Sequence, residues 1–70
     1  MNPNVTKLYT IISDNTAIVV ETNLKHLIDR FQEIEPNALG YASYVLKFKE
    51  QKKFVQVIAG KEYHFQQIIP

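Results

Sequence analysis

The chain contains no cysteine, no tryptophan and only two glycines among its 70 residues. Without cysteine there can be no disulfide framework, no thiolate zinc site and no cysteine nucleophile. The glycines stand alone at positions 40 and 60, so the sequence lacks a glycine-rich loop that could hold phosphate groups. The longest apolar run, residues 17–20, is far shorter than a membrane span. We therefore expect no cofactor, no metal and no membrane partner.

The size and composition of the chain predict one small domain over residues 1–70. A chain of this length buries only about 60% of its unfolded surface, so its stability is expected to be a few kcal/mol. An apolar fraction of 46% is nevertheless ample for a core and argues against disorder. The first nine residues contain one lysine and no apolar stretch after it, which predicts no secretory signal and hence a cytoplasmic protein.

Catalytic groups are scarce in this sequence. His26 and His64 fall on different predicted elements, and neither has a neighbouring histidine or cysteine with which to share a metal ion. Asp29 and Glu33 are one helical turn apart and could form a carboxylate pair, although a solvated helix face is the commoner reason for that spacing. We therefore predict that the chain is not an enzyme and has no catalytic residues.

Hydrophobic periodicity predicts an α+β fold. β-branched and aromatic residues flank a cluster of turn formers and predict a β-hairpin over residues 7–21. The period then changes, and Pro36 ends a helix predicted over residues 22–35. Gly60 supplies the positive φ needed for a second hairpin over residues 54–69. The apolar stripe of the helix consists of Leu24, Leu27, Ile28, Phe31 and Ile34. Its expected partners on the strands are Leu8, Ile11, Val19, Val57 and Phe65.

The segment YASYVLKFK, residues 41–49, fits both a helix and a strand. As a strand it alternates between apolar and polar residues, and the fold becomes one helix packed on an antiparallel sheet (ββαβββ). The chain would then reverse at residues 50–53, EQKK, which contain no turn former and are good helix formers. This favours a second helix within residues 38–52, with Gly40 in its first turn at a cost of about 1 kcal/mol.

Positive charge is concentrated in the second part of the chain. The net charge is +1, but residues 1–39 sum to −2 and residues 40–70 to +3. Lysines bind phosphates, and serine or glutamine on an exposed helix face can reach base edges in a major groove. The candidate nucleic-acid-binding residues are Ser43, Lys47, Lys49, Gln51, Lys52, Lys53 and Lys61.

A helix, a short connection, a lysine-bearing second helix and a hairpin follow one another over residues 22–69. This order resembles the winged helix-turn-helix DNA-binding modules. The resemblance implies that the second helix reads duplex DNA and that residues 54–69 form the wing, with Lys61 at its tip.

A protein-interaction or inhibitor module is the competing hypothesis. An edge strand could pair with a protein partner or with a second copy of the chain as a homodimer. An exposed aromatic patch could serve the same purpose. The candidate residues of such a patch are Tyr9, Tyr41, Tyr44, Tyr63 and Phe65.

Overall fold

A computed structural model describes residues 7–68 of the chain. Two hairpins flank two consecutive helices, in the order β1 (Leu8–Ser13), β2 (Thr16–Glu21), α1 (Leu24–Ile34), α2 (Tyr41–Glu50), β3 (Lys53–Ile58) and β4 (Lys61–Ile68). The α+β class and the second helix are confirmed, and the ββαβββ alternative is wrong. The predicted strand position of Ile69 and most of the N-terminal segment tested for a secretory signal lie outside the described residues.

Helix α1 begins and ends at residues whose chemistry explains its bounds. The side chain of Asn23 accepts a hydrogen bond from the backbone N–H of His26 at 3.1 Å, which satisfies one of the free donors of the first turn. At the other end, Glu35 has extended backbone geometry, as expected for the residue before a proline. The predicted helix is therefore correct to within two residues at its start and one at its end.

Helix α2 avoids the cost that the sequence predicted for Gly40. Gly40 is the N-cap of α2, with φ −74° and ψ 164°, so the glycine lies just outside the helix. Gln51 is extended and ends the helix, and the chain enters β3 two residues later. The segment EQKK is thus the end of a helix followed directly by a strand, and no reversal within a hairpin is needed.

The four strands form one antiparallel sheet in the order β2-β1-β4-β3. The central pair joins the first and last strands, with Leu8 opposite Ile68. Both helices pack on one face of the sheet, where Phe65 lies 5.1 Å from the ring of Tyr44 and 5.2 Å from the ring of Phe31 between ring centroids. The core consists of Tyr9, Ile11, Val19, Leu27, Ile28, Phe31, Tyr44, Phe48, Ile58, Tyr63 and Phe65.

Two residues predicted to lie in the core are exposed, and a third, Leu8, is half-buried on the sheet face without helices. Ile34, the last residue of α1, is 50% exposed, whereas Glu35 directly after it is buried against Tyr63 of β4. Val57 is 61% exposed because its partner in the register is Glu62, which places both side chains on the face without helices. In β3 it is Phe54 and Ile58 that pack towards the helices.

Both hairpins turn through two residues with positive φ. Asp14 and Asn15 have φ of 52° and 60°, and Ala59 and Gly60 have φ of 52° and 81°. Turns of this kind match the right-handed twist of the flanking strands and favour asparagine, aspartate and glycine. Ala59 is the exception, because its Cβ costs roughly 1–2 kcal/mol in this conformation and alanine lacks the polar side chain with which asparagine or aspartate can form local hydrogen bonds.

We expect Ala59→Gly to stabilise the domain by about 1 kcal/mol, since relief of this strain exceeds the added flexibility of the unfolded chain. Urea unfolding at neutral pH measures the change. Gly60→Ala is the matched control and should destabilise, although its new Cβ would meet no atom within 4 Å. A loss of stability in Ala59→Gly would contradict the assignment of strain to this turn.

Candidate binding surfaces

Three of the predicted DNA-contacting lysines lie close together at the end of α2. Lys49, Lys52 and Lys53 are exposed and follow one another through the junction between α2 and β3. Lys47 is half-buried, and its Nζ lies 5.7 Å from the ring centroid of Phe54, a cation–π distance. Lys61 begins β4 at the opposite end of the hairpin, about 17 Å along the strand from Lys53. The predicted lysines therefore do not form one continuous surface: four lie in or next to the junction between α2 and β3, and Lys61 lies at the far end of the hairpin.

The outward face of α2 is chemically mixed. Tyr44 and Phe48 face the core, which leaves Ser43, Leu46 and Glu50 exposed on the outer side of the helix. Gln51 is also exposed, but as the C-cap it lies beyond the last turn. Of the predicted base-reading residues, Ser43 and Gln51 are accessible, while Lys47 packs on Phe54. An exposed leucine and a carboxylate on this face are unfavourable for contact with a DNA groove.

The aromatic residues do not form a surface patch. Tyr9, Tyr44, Tyr63 and Phe65 are buried in the core, and of the predicted set only Tyr41 is exposed. The patch version of the protein-interaction hypothesis is therefore wrong, because these rings fill the space between the helices and the sheet. The edge version retains its structural basis, since β2 and β3 are the two edge strands.

Two buried tyrosines anchor their hydroxyl groups on polar partners. The Tyr63 hydroxyl donates to the Glu35 carboxylate at 3.0 Å, and the Asn37 backbone N–H donates to the other oxygen of that carboxylate at 3.1 Å. The Tyr44 hydroxyl accepts from the Leu39 backbone N–H and donates to the Gln56 side chain. Burial raises the pKa of both tyrosines, and the Glu35 carboxylate raises the pKa of Tyr63 further. These groups hold the connection between α1 and α2 on the core.

The sheet face opposite the helices carries a second set of aliphatic side chains, and we refer to it as the open face. Its side chains follow from the cross-strand register, because residues directly opposite each other point to the same side of a sheet. The aliphatic members with the largest exposure are Val20, Val55, Val57 and Ile68. Leu8 and Ile12 are half-buried on the same face. Apolar residues occur at both odd and even positions of β3, so either side of this strand could face the helices. The sequence therefore predicted Val57 in the core and did not predict that Val55 and Val57 lie on a surface.

Polar and charged groups stand between these aliphatic residues. His64 lies between Ile12 and Val55, while Lys53 and Glu62 mark opposite ends of the β3–β4 pair. The His64 Nε2 lies 3.8 Å from the Glu62 carboxylate. A shallow cavity of about 710 Å³ crosses this part of the face and continues to the β1–β2 turn. The open face therefore combines aliphatic contact area with charges of both signs.

Neither helix in the described part of the chain is long and apolar enough to cross a membrane. Within residues 7–68 there is also no group of three or more histidine and acidic side chains placed to hold a metal ion. Comparison with known proteins finds no family model, no curated protein and no solved structure that matches the chain.

Proposed function

We propose that the chain is a protein-binding module that acts through the open face of its sheet. The observation that carries this proposal is the exposure of Val55 and Val57, which are 52% and 61% exposed on a regular strand. A fully buried valine stabilises by about 1.5 kcal/mol or more, so the covering of several such side chains provides a driving force for association. The module would work by binding, and the prediction that it is not an enzyme stays a prediction.

The chemistry of the face suits a reversible contact. Interfaces that form and dissociate are about as apolar as ordinary protein surface, and obligate interfaces are more apolar. On the open face, Thr10, His64 and Gln66 alternate with aliphatic residues in neighbouring rows. The Thr10 hydroxyl already has a hydrogen-bond partner within the chain, because it donates to the Val19 carbonyl at 3.2 Å. The remaining polar groups are available to a partner and would give the contact its orientation.

Site-specific photocrosslinking tests whether a protein covers this face. Two variants of the full chain carry a benzophenone amino acid, one at position 57 and one at position 46. Each variant is irradiated in a lysate of the source cells. Val57 and Leu46 are matched, since both are 61% exposed, but Leu46 lies on the outer side of α2. We expect protein adducts from position 57 and few from position 46. No adduct from position 57, or equal labelling from both positions, would contradict the proposal.

A second candidate function is binding to duplex DNA, and the exposure of Lys49, Lys52 and Lys53 at one junction favours it. Each phosphate neutralised by a lysine adds about 0.9 to the slope of log affinity against log salt concentration. In an anisotropy titration with mixed duplex DNA at low salt, Lys52→Ala combined with Lys53→Ala should therefore flatten the slope by up to about 2.

The control for this titration is Lys25→Ala, because Lys25 pairs with Asp29 on α1 at 2.9 Å. Its salt slope should equal that of the unchanged chain. A chain that does not bind at tens of micromolar would exclude this candidate and would leave the protein-binding proposal in place.

A further inference from the structure

We infer that the open face docks onto the open face of a second copy of this chain. The inference rests on the proposed function, to which it adds the identity of the partner. A two-fold contact requires a surface that is complementary to itself. The open face meets this requirement through the positions of two oppositely charged residues, Lys53 and Glu62.

Lys53 and Glu62 occupy equivalent distances on either side of one cross-strand pair. The register sets Lys53 opposite Gln66, then Val55 opposite His64, then Val57 opposite Glu62. A two-fold axis that lies in the interface, perpendicular to β3 and β4, and passes over the middle pair exchanges the two ends of the hairpin. Lys53 of one copy then lies above Val57 and beside Glu62 of the other. The symmetry repeats this contact, so two intermolecular ion pairs form.

The same axis places aliphatic groups at the centre of the contact. Val55 on β3 and Ile12 on β1 each meet their own symmetry mate, and His64 on β4 does the same between them, because the three residues form one cross-strand row. The alternative axis, parallel to the strands, would instead bring Glu62 over the β1–β2 turn that carries Asp14. Juxtaposed carboxylates repel each other, so the charges select the perpendicular axis.

The dimensions of the face predict how strong the contact is. A strand of six residues is about 20 Å long, and four strands are about 19 Å wide, so the projected area is about 380 Å² per copy. Two copies together therefore contribute about 760 Å² in projection, and even with the larger pleated surface the contact falls in the class of weak, transient interfaces, below the roughly 1,200–2,000 Å² of stable specific ones. A second sheet of the same size covers the face fully. We expect a reversible dimer with a Kd on the order of tens of micromolar.

Sedimentation equilibrium of the full chain from about 5 to 500 µM tests the dimer. The weight-average mass should rise from 8.1 kDa towards twice that value. Val55→Lys places like charges on the axis and should weaken association at least tenfold. The matched control, Leu46→Lys, adds the same charge to an exposed aliphatic position on α2 and should leave the Kd unchanged. Equal weakening by both variants, or a mass of 8.1 kDa throughout for the unchanged chain, would overturn the inference.

A charge exchange tests the orientation of the two copies. Lys53→Glu and Glu62→Lys should each weaken the dimer about fivefold, while the two changes together should restore association to within about twofold. Lys52→Glu is the control, since Lys52 is exposed but lies immediately before β3, outside the cross-strand pairs that meet in the proposed dimer. Circular dichroism confirms that each variant is folded before it is compared. Failure of the double exchange to restore association would overturn the proposed axis.

Photocrosslinking from position 57 separates this inference from the proposed function. An adduct with twice the mass of the chain supports the second copy as partner. Adducts of another mass from a chain that sediments as a monomer would overturn the second copy but leave the protein-binding function standing. The absence of any adduct would overturn both.

Discussion

Phe31→Ala is expected to unfold the domain. Phe31 is fully buried on α1, and its ring makes edge contacts with the rings of Tyr63, Phe65 and Tyr44 at centroid distances of 4.9, 5.2 and 6.2 Å. Truncation of a buried phenylalanine costs about 3–5 kcal/mol, through lost burial and the cavity left behind. A domain of this size has a total stability of similar magnitude. Far-UV circular dichroism and thermal unfolding at 25 °C and above measure the loss.

The control for Phe31→Ala is Ile34→Ala in the same helical stripe. Ile34 is half exposed, so its truncation should cost less than about 1 kcal/mol. Comparable losses in the two variants would show that the effect depends on helix formation and not on packing. A cooperative unfolding transition for Phe31→Ala near that of the unchanged chain would contradict the central position assigned to this ring.

Tyr63→Phe is expected to lower the free energy of unfolding by about 1.5–3 kcal/mol at neutral pH. The change removes only the hydroxyl, and with it the donor 3.0 Å from a Glu35 oxygen; both residues are less than 10% exposed. A buried carboxylate that loses a donor bears the cost of its desolvation. Urea unfolding measures the loss, and Tyr41→Phe is the control because the Tyr41 ring is exposed. A loss no larger than that of the control would contradict the importance of this hydrogen bond.

A double-mutant cycle assigns the effect to the pair. Tyr63→Phe, Glu35→Gln and the double variant should give a coupling free energy of about 1 kcal/mol or more, since the two groups contact each other directly. Coupling near zero would show that the Tyr63 hydroxyl acts through other neighbours.

The same tyrosine predicts the response to alkaline pH. The folded state raises the pKa of Tyr63 above its usual value of 10.0, through burial and the neighbouring carboxylate, so the fold favours the neutral phenol. The stabilisation linked to that preference is complete below pH 10 and is lost as the pH rises through the folded-state pKa. Stability measured from pH 8 to pH 12 should fall less steeply in Tyr63→Phe than in the unchanged chain. Equal slopes would contradict the linkage.

The helices and hairpins were predictable because each depends on local chemistry. The capping side chain of Asn23, the proline after α1 and the glycine in the β3–β4 turn all act within a few residues of their own position. Helix α2 could be predicted because the segment after it contains no turn former. These signals do not depend on which elements meet in space, so the sequence contains them in full.

The candidate surfaces were less predictable because they depend on register. Strand β3 has apolar residues in both phases, Phe54 and Ile58 in one and Val55 and Val57 in the other. The sequence alone therefore does not determine which phase faces the helices. Pairing with β4 decides it, and the valines are exposed as a result. The burial of Glu35 has the same origin, because its partner Tyr63 is 28 residues away in the chain. Only the assembled sheet brings such groups together.

The central position of β1 and β4 has a consequence for the order of events during synthesis. The inner edge of β1 has no neighbour until β4 has left the ribosome, although α1, α2 and the β1–β2 turn can form earlier from local contacts. At about 5–20 residues per second, the roughly fifty residues between these strands leave that edge open for a few seconds. An unpaired edge of this kind is a template for pairing with other chains. The nascent chain is therefore most exposed to aggregation, and most in need of a chaperone, in the interval before its last strand arrives.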